Sequence, residues 1–201
     1  MLRLYDFLDS GNGYKVRLLL MQLAIPYELT EVDILSGQTR TPEFLARNPN
    51  GRIPLLELED GSRLAESNAI LFFLAEGTPM LAQDRWQRGQ VLQWMFFEQY
   101  SHEPNIATSR FLLRHTAADD PRRALLPAKK TAGEAALGVM EGHLCRHTWF
   151  VGERYGIADI ALYAYTHVAD EGGFDLQPYA AIRAWMDRVR SQPSHKPITS
   201  R

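Results

Sequence analysis

At 201 residues, with 45% hydrophobic and 23% charged positions, the chain has the apolar content to bury a core, shows no bias toward disorder, and fits one large domain or two small ones. Its 22 basic and 24 acidic residues leave a formal net charge of -2, which provides no global field for nucleic acid or an anionic membrane and points to small-molecule partners. The first residues lack a basic region followed by an apolar core, no apolar run approaches the ~20 residues that span a bilayer, and the single Cys145 excludes an internal disulfide, a Cys-x-x-Cys pair and a cysteine zinc site, so the expectation is a cytoplasmic protein whose thiol chemistry uses a borrowed thiol.

Leu2 to Asp6 reads as a short strand, after which Val16, Leu19, Leu20 and Leu23 recur at helical spacing. The apolar period therefore changes around Ser10-Gly11-Asn12-Gly13. Ile25-Pro26 ends this helix, and Tyr27, Leu29 and Glu31-Val32 carry a second extended stretch, which makes a βαβ unit. Thr41-Pro42-Glu43 opens a short helix with a hydroxyl cap and a proline at its first position, and Asn48-Pro49-Asn50-Gly51 stops it. A hairpin is expected from Pro54 to Leu58 and Arg63 to Ala65, turning through Glu59-Asp60-Gly61-Ser62, with Ser67 capping the helix that carries Ile70, Leu71, Phe73 and Leu74. Gly77-Thr78-Pro79 breaks that helix, and a domain boundary is placed between residues 77 and 85. Helices are predicted at about 84 to 114, 121 to 145, 156 to 169 and 178 to 191, with Trp149-Phe150-Val151 as one brief strand and no internal repeat.

Four segments, in order and spacing, resemble the glutathione S-transferase family: Ser10-Gly11-Asn12-Gly13-Tyr14-Lys15-Val16-Arg17, Asn48-Pro49-Asn50-Gly51-Arg52-Ile53-Pro54, Glu66-Ser67, and Gly156-Ile157-Ala158-Asp159-Ile160. The Ser-Gly-Asn loop resembles the serine-type bacterial branches, theta-like or nu-like. The resemblance covers nearly the whole chain. It implies an α/β plus all-α architecture, with a thioredoxin-like glutathione-binding domain over 1–78 and an all-helical bundle over 85–201 that contributes the electrophile pocket. It also implies glutathione as co-substrate, a small electrophile and a homodimer; with the charge balance and the short apolar runs, no nucleic-acid or membrane partner is expected, nor a metal.

Ser10 sits at a strand-to-helix turn, where a hydroxyl and exposed backbone N–H groups can meet an anion; the local residues equally allow a simple helix cap. In the light of the resemblance, Ser10 stabilises the glutathione thiolate by donating a hydrogen bond, since a serine hydroxyl is no base near neutral pH. Lowering a thiol from its usual ~8.5 by about two units corresponds to roughly 2.7 kcal/mol. Asn12 is either a second donor to sulfur or itself the cap. Tyr5 and Tyr14, the rival hydroxyls, read as packing residues.

The resemblance makes Pro54 a cis-proline, with the Ile53 N–H and C=O pairing with glutathione's cysteinyl backbone. Glu66 would meet the γ-glutamyl ammonium and Ser67 its carboxylate. Arg52 reaches the glycyl carboxylate, with Gln38 and Arg40 as weaker candidates. His102, Glu103 and Asn105, after the aromatic run from Trp94 to Tyr100, are candidates for the electrophile pocket, with plain surface exposure as the alternative. His143 and His147 have helical chelate spacing but no third ligand, Cys145 reads as a small packed hydrophobe, and Asp159 reads as a folding residue, an acid at the third helical position behind a Gly156 cap with Tyr155 and Ile160 as a staple. Conjugation of glutathione to a small electrophile is the leading function. Glutathione-dependent reduction of disulfides or peroxides is the rival on the same fold, and a nonenzymatic interaction module is a third reading that intact Ser10, Pro54 and Glu66-Ser67 argue against.

Overall fold

The computed structural model describes residues 1–200 and divides into two compact units, Met1–Thr78 together with the segment from Pro193 on, and Pro79–Gln192. The first unit is thioredoxin-like. It runs β1 (Leu2–Asp6), α1 (Gly11–Gln22), β2 (Tyr27–Glu31), α2 (Pro42–Leu45), β3 (Leu55–Glu57), β4 (Arg63–Ala65) and α3 (Ser67–Ala75). The sheet order is β2-β1-β3-β4, with β1 parallel to β2 and the other two pairings antiparallel. Leu4 stands opposite Leu29 on one side and Leu56 on the other. Alternation along the strand then sends Tyr5 to the opposite face, where it joins Val32, Phe44 and Leu55 in a buried cluster. Tyr5 meets Phe44 edge-on, so its ring is a packing element as expected. Helices α1 and α3 pack against each other.

The segment from Pro193 on was expected to continue the helical domain. It groups instead with the sheet-bearing unit. The cause lies in α1: Tyr14 and Arg17 are fully buried, and their polar ends find acceptors on the backbone of residues 196 to 200. No hydrophobic pattern marks such a return.

The second unit contains α4 (Arg85–Phe97), α5 (Glu103–His115), α6 (Leu126–Leu144), α7 (Ile157–Thr166) and α8 (Ala180–Arg190). The long helix predicted from residue 84 is interrupted by a wider π-type turn over Glu98–His102. Pro104 has no N–H to return to Tyr100, and the turn absorbs that missing bond. Trp149-Phe150-Val151 is not a strand. The Phe150 N–H donates to the Asp159 carboxylate at 3.2 Å rather than to a neighbouring backbone.

Asp159 anchors this unit. Its Oδ1 accepts from Phe150 N and, at 2.9 Å, from the indole Nε1 of Trp185, while Oδ2 accepts from Gly156 N at 3.1 Å. Glycine at the cap supplies no hydroxyl in return, so only half of the reciprocal pair forms. Trp185 is fully buried and meets Phe150 edge-on, and Trp94 also packs against Phe150. Burial pushes the Asp159 carboxyl up to about 7 against the pull of its three donors. Between its ordinary value of 3.8 and about 7, the folded state holds a proton that the unfolded chain has released. The stability from this group is therefore complete below the ordinary value and is lost as pH rises through 7.

Thermal unfolding across pH 5 to 8 tests this role. Asp159→Ala strands two buried donors and a half-buried third and should cost roughly 3 kcal/mol, about 10 °C in melting midpoint. Asp159→Asn keeps the Oδ1 acceptor, should cost only about 1 kcal/mol, and should flatten the decline of the midpoint between pH 5 and 8; an undiminished slope in Asp159→Asn would assign that decline elsewhere.

Candidate functional site

The chain leaves β1 at Asp6 and turns through Phe7 to Asp9, with the Ser10 N–H held by the Phe7 carbonyl at 2.8 Å. Ser10 has extended backbone geometry and caps α1, its Oγ accepting from the Gly13 N–H at 3.3 Å. This settles the cap between Ser10 and Asn12 in favour of Ser10. Capping uses the oxygen as acceptor only, and its O–H is a donor at the positive end of a twelve-residue helix.

Asn12 lies half-buried in the first turn of α1, and Ser67 begins α3. The two side chains meet: Ser67 Oγ donates to Asn12 Oδ1 at 3.2 Å and receives the Lys15 ammonium at 3.3 Å. An ammonium only donates, so the Ser67 oxygen accepts from Lys15 and turns its own proton to Asn12. The amide must then offer its oxygen to Ser67, which leaves its NH₂ pointing away from Ser67 as a donor. Lys15 is fully buried. Two helix N-termini and a buried cation thus converge at hydrogen-bond range, an arrangement that favours an anion.

Ser67 was expected to cap α3, yet it is the first helical residue and Glu66 holds the cap position without a side-chain cap bond. The Ser67 hydroxyl is committed to Asn12 and Lys15. Glu66 has φ of 68°, a left-handed conformation that costs a residue with a Cβ about 1–3 kcal/mol. It places an exposed carboxylate beside Asn50, whose Nδ2 donates to Oε1 at 3.4 Å. The Ile53-Pro54 peptide bond is cis, and Pro54 is buried just before β3. Arg52 is exposed next to it.

Other candidates are placed differently. The Gln38 side chain is turned back on its own loop, with Oε1 accepting from the Asp33 N–H at 2.8 Å, and Arg40 donates to the Asn50 carbonyl. Tyr14, the rival hydroxyl, donates to the Lys196 carbonyl. In the helical unit His102 is fully buried, with Nε2 2.9 Å from Thr166 Oγ1. The Thr166 hydroxyl donates to the Leu162 carbonyl, so the histidine is the donor in this pair. A side chain without exposed surface cannot line an open pocket, and His102 is a packing residue. Glu103 and Asn105 are partly exposed, the Asn105 amide donating to the Ser101 carbonyl at 2.7 Å. Cys145 is exposed rather than packed, because it caps the C-terminus of α6. His143 and His147 stack at 4.3 Å, and no group of three or more metal-ligating side chains occurs among the described residues.

Below the loop lies a second buried charge cluster that the sequence reading missed. Arg17 Nε pairs with Asp6 Oδ2 at 2.8 Å, both side chains fully buried. Burial pushes the Asp6 carboxyl up to about 6, opposed by the charge of Arg17 and its hydrogen bond. The legible signal was α1 itself: with Val16, Leu18, Leu19, Leu20 and Met21 around the helix, no solvent-facing side remains for Lys15 and Arg17.

Comparison with known proteins agrees with this geometry. Family models match residues 1–76 as the glutathione S-transferase N-terminal domain and residues 96–193 as the C-terminal domain. A glutathione S-transferase from Pseudomonas fluorescens has a solved structure that is 55% identical, covers 99% of each chain and superposes with a TM-score of 0.96. The disulfide-bond oxidoreductase YfcG of Escherichia coli is 31% identical over 96% of this chain and 92% of its own length. Ure2p, solved in complex with glutathione, is 25% identical, covers 96% and 95% of the two chains, and has a TM-score of 0.87.

Gly13 is where the loop, α1 and the Asp6–Arg17 pair are pressed together. A Cβ built there falls 1.6 Å from Asp6 Oδ1 and 2.0 Å from its Cγ. In an open helix, glycine to alanine gains about 1 kcal/mol. Here the sign should reverse: Gly13→Ala should lower the melting midpoint by several degrees, by forcing a buried carboxylate away from its arginine. An unchanged or raised midpoint would show that the pair has room to shift.

Proposed function

Because the chain belongs to the glutathione S-transferase family, we propose that it binds glutathione at the convergent starts of α1 and α3 and holds the thiol as a thiolate for transfer to a small electrophile. The observation that carries this reading is the convergence of Ser10, Asn12, Ser67 and the Lys15 ammonium at two helix N-termini. The Ser10 O–H and the Asn12 NH₂ donate to sulfur, which stabilises S⁻ without removing its proton directly. The Ile53 backbone pairs with the cysteinyl residue, Glu66 takes the γ-glutamyl ammonium, and the first N–H groups of α3 with Ser67 take the neighbouring carboxylate. Arg52 takes the glycyl carboxylate, with Gln38 as a further contact once its side chain leaves the Asp33 N–H. The thiolate then attacks the electrophilic carbon, a C–S bond forms and the leaving group departs with its electron pair. Glu103 and Asn105 are the pocket candidates from the helical unit.

A second reading uses the same thiolate on sulfur. It is favoured by the similarity to the oxidoreductase YfcG and by the Ser-x-Asn-Gly loop. The glutathione thiolate attacks one sulfur of a small disulfide, the other sulfur leaves as a thiolate, and a second glutathione resolves the mixed disulfide to oxidised glutathione. A cytoplasmic setting, rich in reduced thiols, suits either reaction. No helix among the described residues is long and apolar enough to cross a membrane.

A homodimer is part of the proposal. Trp86, Phe96 and Tyr100 are 74%, 70% and 87% exposed, and their spacing places them along one stripe of α4 and the turn after it. Trp94, by contrast, is buried with Phe97 edge-on against it, which leaves Trp86, Phe96 and Tyr100 to face a second copy.

Turnover measured in parallel with an aryl halide, a hydroperoxide and a small disulfide separates the two chemistries. Ser10→Ala should lower the rate at neutral pH about tenfold or more in whichever assay is active, because the thiolate is common to all three; full activity in the mutant would remove Ser10 from the reaction. In sedimentation equilibrium the chain should run at twice its 22.9 kDa mass at micromolar concentration. A single species at the chain mass would defeat the dimer and leave the thiol site standing.

A further inference from the structure

The segment from Pro193 on is attached to the first unit through α1. The Tyr14 hydroxyl donates to the Lys196 carbonyl and lies 3.3 Å from His195 Nε2, while Arg17 Nη1 donates to the carbonyls of Ile198 at 2.7 Å and Ser200 at 2.9 Å. The same guanidinium reaches two other places. Nη2 donates to the Leu8 carbonyl at 2.7 Å, and Nε to Asp6 Oδ2 at 2.8 Å. One rigid, fully buried plane therefore ties together the end of β1, the loop before α1 and the C-terminal segment. Leu8 is two residues from Ser10 in that loop.

We infer that Arg17 is a positioning residue for the thiol-activating loop, and that the C-terminal segment is the strap that keeps its guanidinium aimed at Leu8. The inference rests on the thiolate reading of the loop given above. With Ile198 and Ser200 withdrawn, Nη1 is left with buried N–H groups that have lost their acceptors. Because the guanidinium is planar, a rotation that takes Nη1 to water also draws Nη2 from Leu8. The loop then loses a fixed point next to Ser10, and a donor displaced by about 1 Å is a poor partner for a thiolate. The γ-glutamyl end of glutathione is held by Glu66 and Ser67, its glycyl end by Arg52 and its cysteinyl backbone by Ile53, all on other elements. Loss of the strap should thus act on thiol ionisation rather than on affinity.

Two variants test this: Arg17→Lys, which keeps the charge beside Asp6 but cannot fan out to three segments, and a chain ended after Gln192. The titration midpoint of the bound thiol is read from thiolate absorbance, and affinity from calorimetry. Both variants should raise the midpoint by roughly one unit, a tenfold loss of thiolate below it, with affinity kept within about threefold. An unchanged midpoint in both, however far the melting temperature falls, overturns the inference. Should neither variant fold, amide hydrogen exchange on the unaltered chain decides: saturating glutathione should slow exchange at residues 196–200 together with 8–13, because coupling between sites is reciprocal. Slowing confined to 8–13 overturns the strap. Ser10→Ala separates this inference from the reading it rests on. A midpoint that moves in Ser10→Ala but in neither other variant removes the strap alone, whereas one that moves with both Arg17→Lys and the shortened chain and ignores Ser10→Ala keeps the strap and transfers the activating role to Asn12.

Discussion

Helix α1 buries a lysine and an arginine two residues apart, and a cation taken out of water must find acceptors on whatever element it faces. Residues two apart on a helix point about 200° from each other, so the two charges reach opposite sides. Lys15 reaches Ser67 and, through it, Asn12, which joins the starts of α1 and α3. Arg17 reaches Asp6, Leu8 and the C-terminal segment. Ser10 caps the helix that both charges hold in place. The loop proposed to handle the thiol is consequently braced from below by one ion pair and from the side by one ammonium, with Gly13 kept bare because Asp6 occupies the space a Cβ would need.

What was legible in the sequence follows the kind of signal each feature leaves. Strands β1 to β4 and the helices announce themselves by period and by turn residues, and the observed elements lie within a few residues of those read from the pattern. The cis Ile53-Pro54 bond and the roles given to Ser10 and Glu66-Ser67 came from the resemblance to the glutathione S-transferase family, carried by four short segments in order and spacing, and not from the local residues, which equally read as caps and an ordinary proline. The Lys15 and Arg17 contacts left no such trace, since a charged residue is by default read as solvated and only the apolar surroundings of the whole helix argue otherwise. The return of residues 196 to 200 is held by backbone carbonyls, which carry no sequence identity at all. His102 and Cys145 were misplaced for the converse reason: the π-type turn before Pro104 rotates His102 inward, and the end of α6 leaves Cys145 at the surface.

The chemistry that this arrangement supports is narrower than the list of reactions it can serve. A thiolate held at two helix N-termini attacks carbon, a peroxide oxygen or a disulfide sulfur with the same electron pair. Selection belongs to whatever surrounds the second substrate. The similar proteins reflect this, one named a transferase and another a disulfide-bond oxidoreductase.

The most direct measurement is the pH titration of glutathione bound to the unaltered protein, followed by thiolate absorbance against a control of free glutathione. Convergence of the α1 and α3 starts with the Lys15 ammonium and the Ser10 and Asn12 donors predicts a bound midpoint about two units below the usual ~8.5 of a free thiol, with thiolate the majority form at neutral pH. A bound midpoint at or above that of free glutathione would contradict the account, because the site would then hold the peptide without ionising its sulfur.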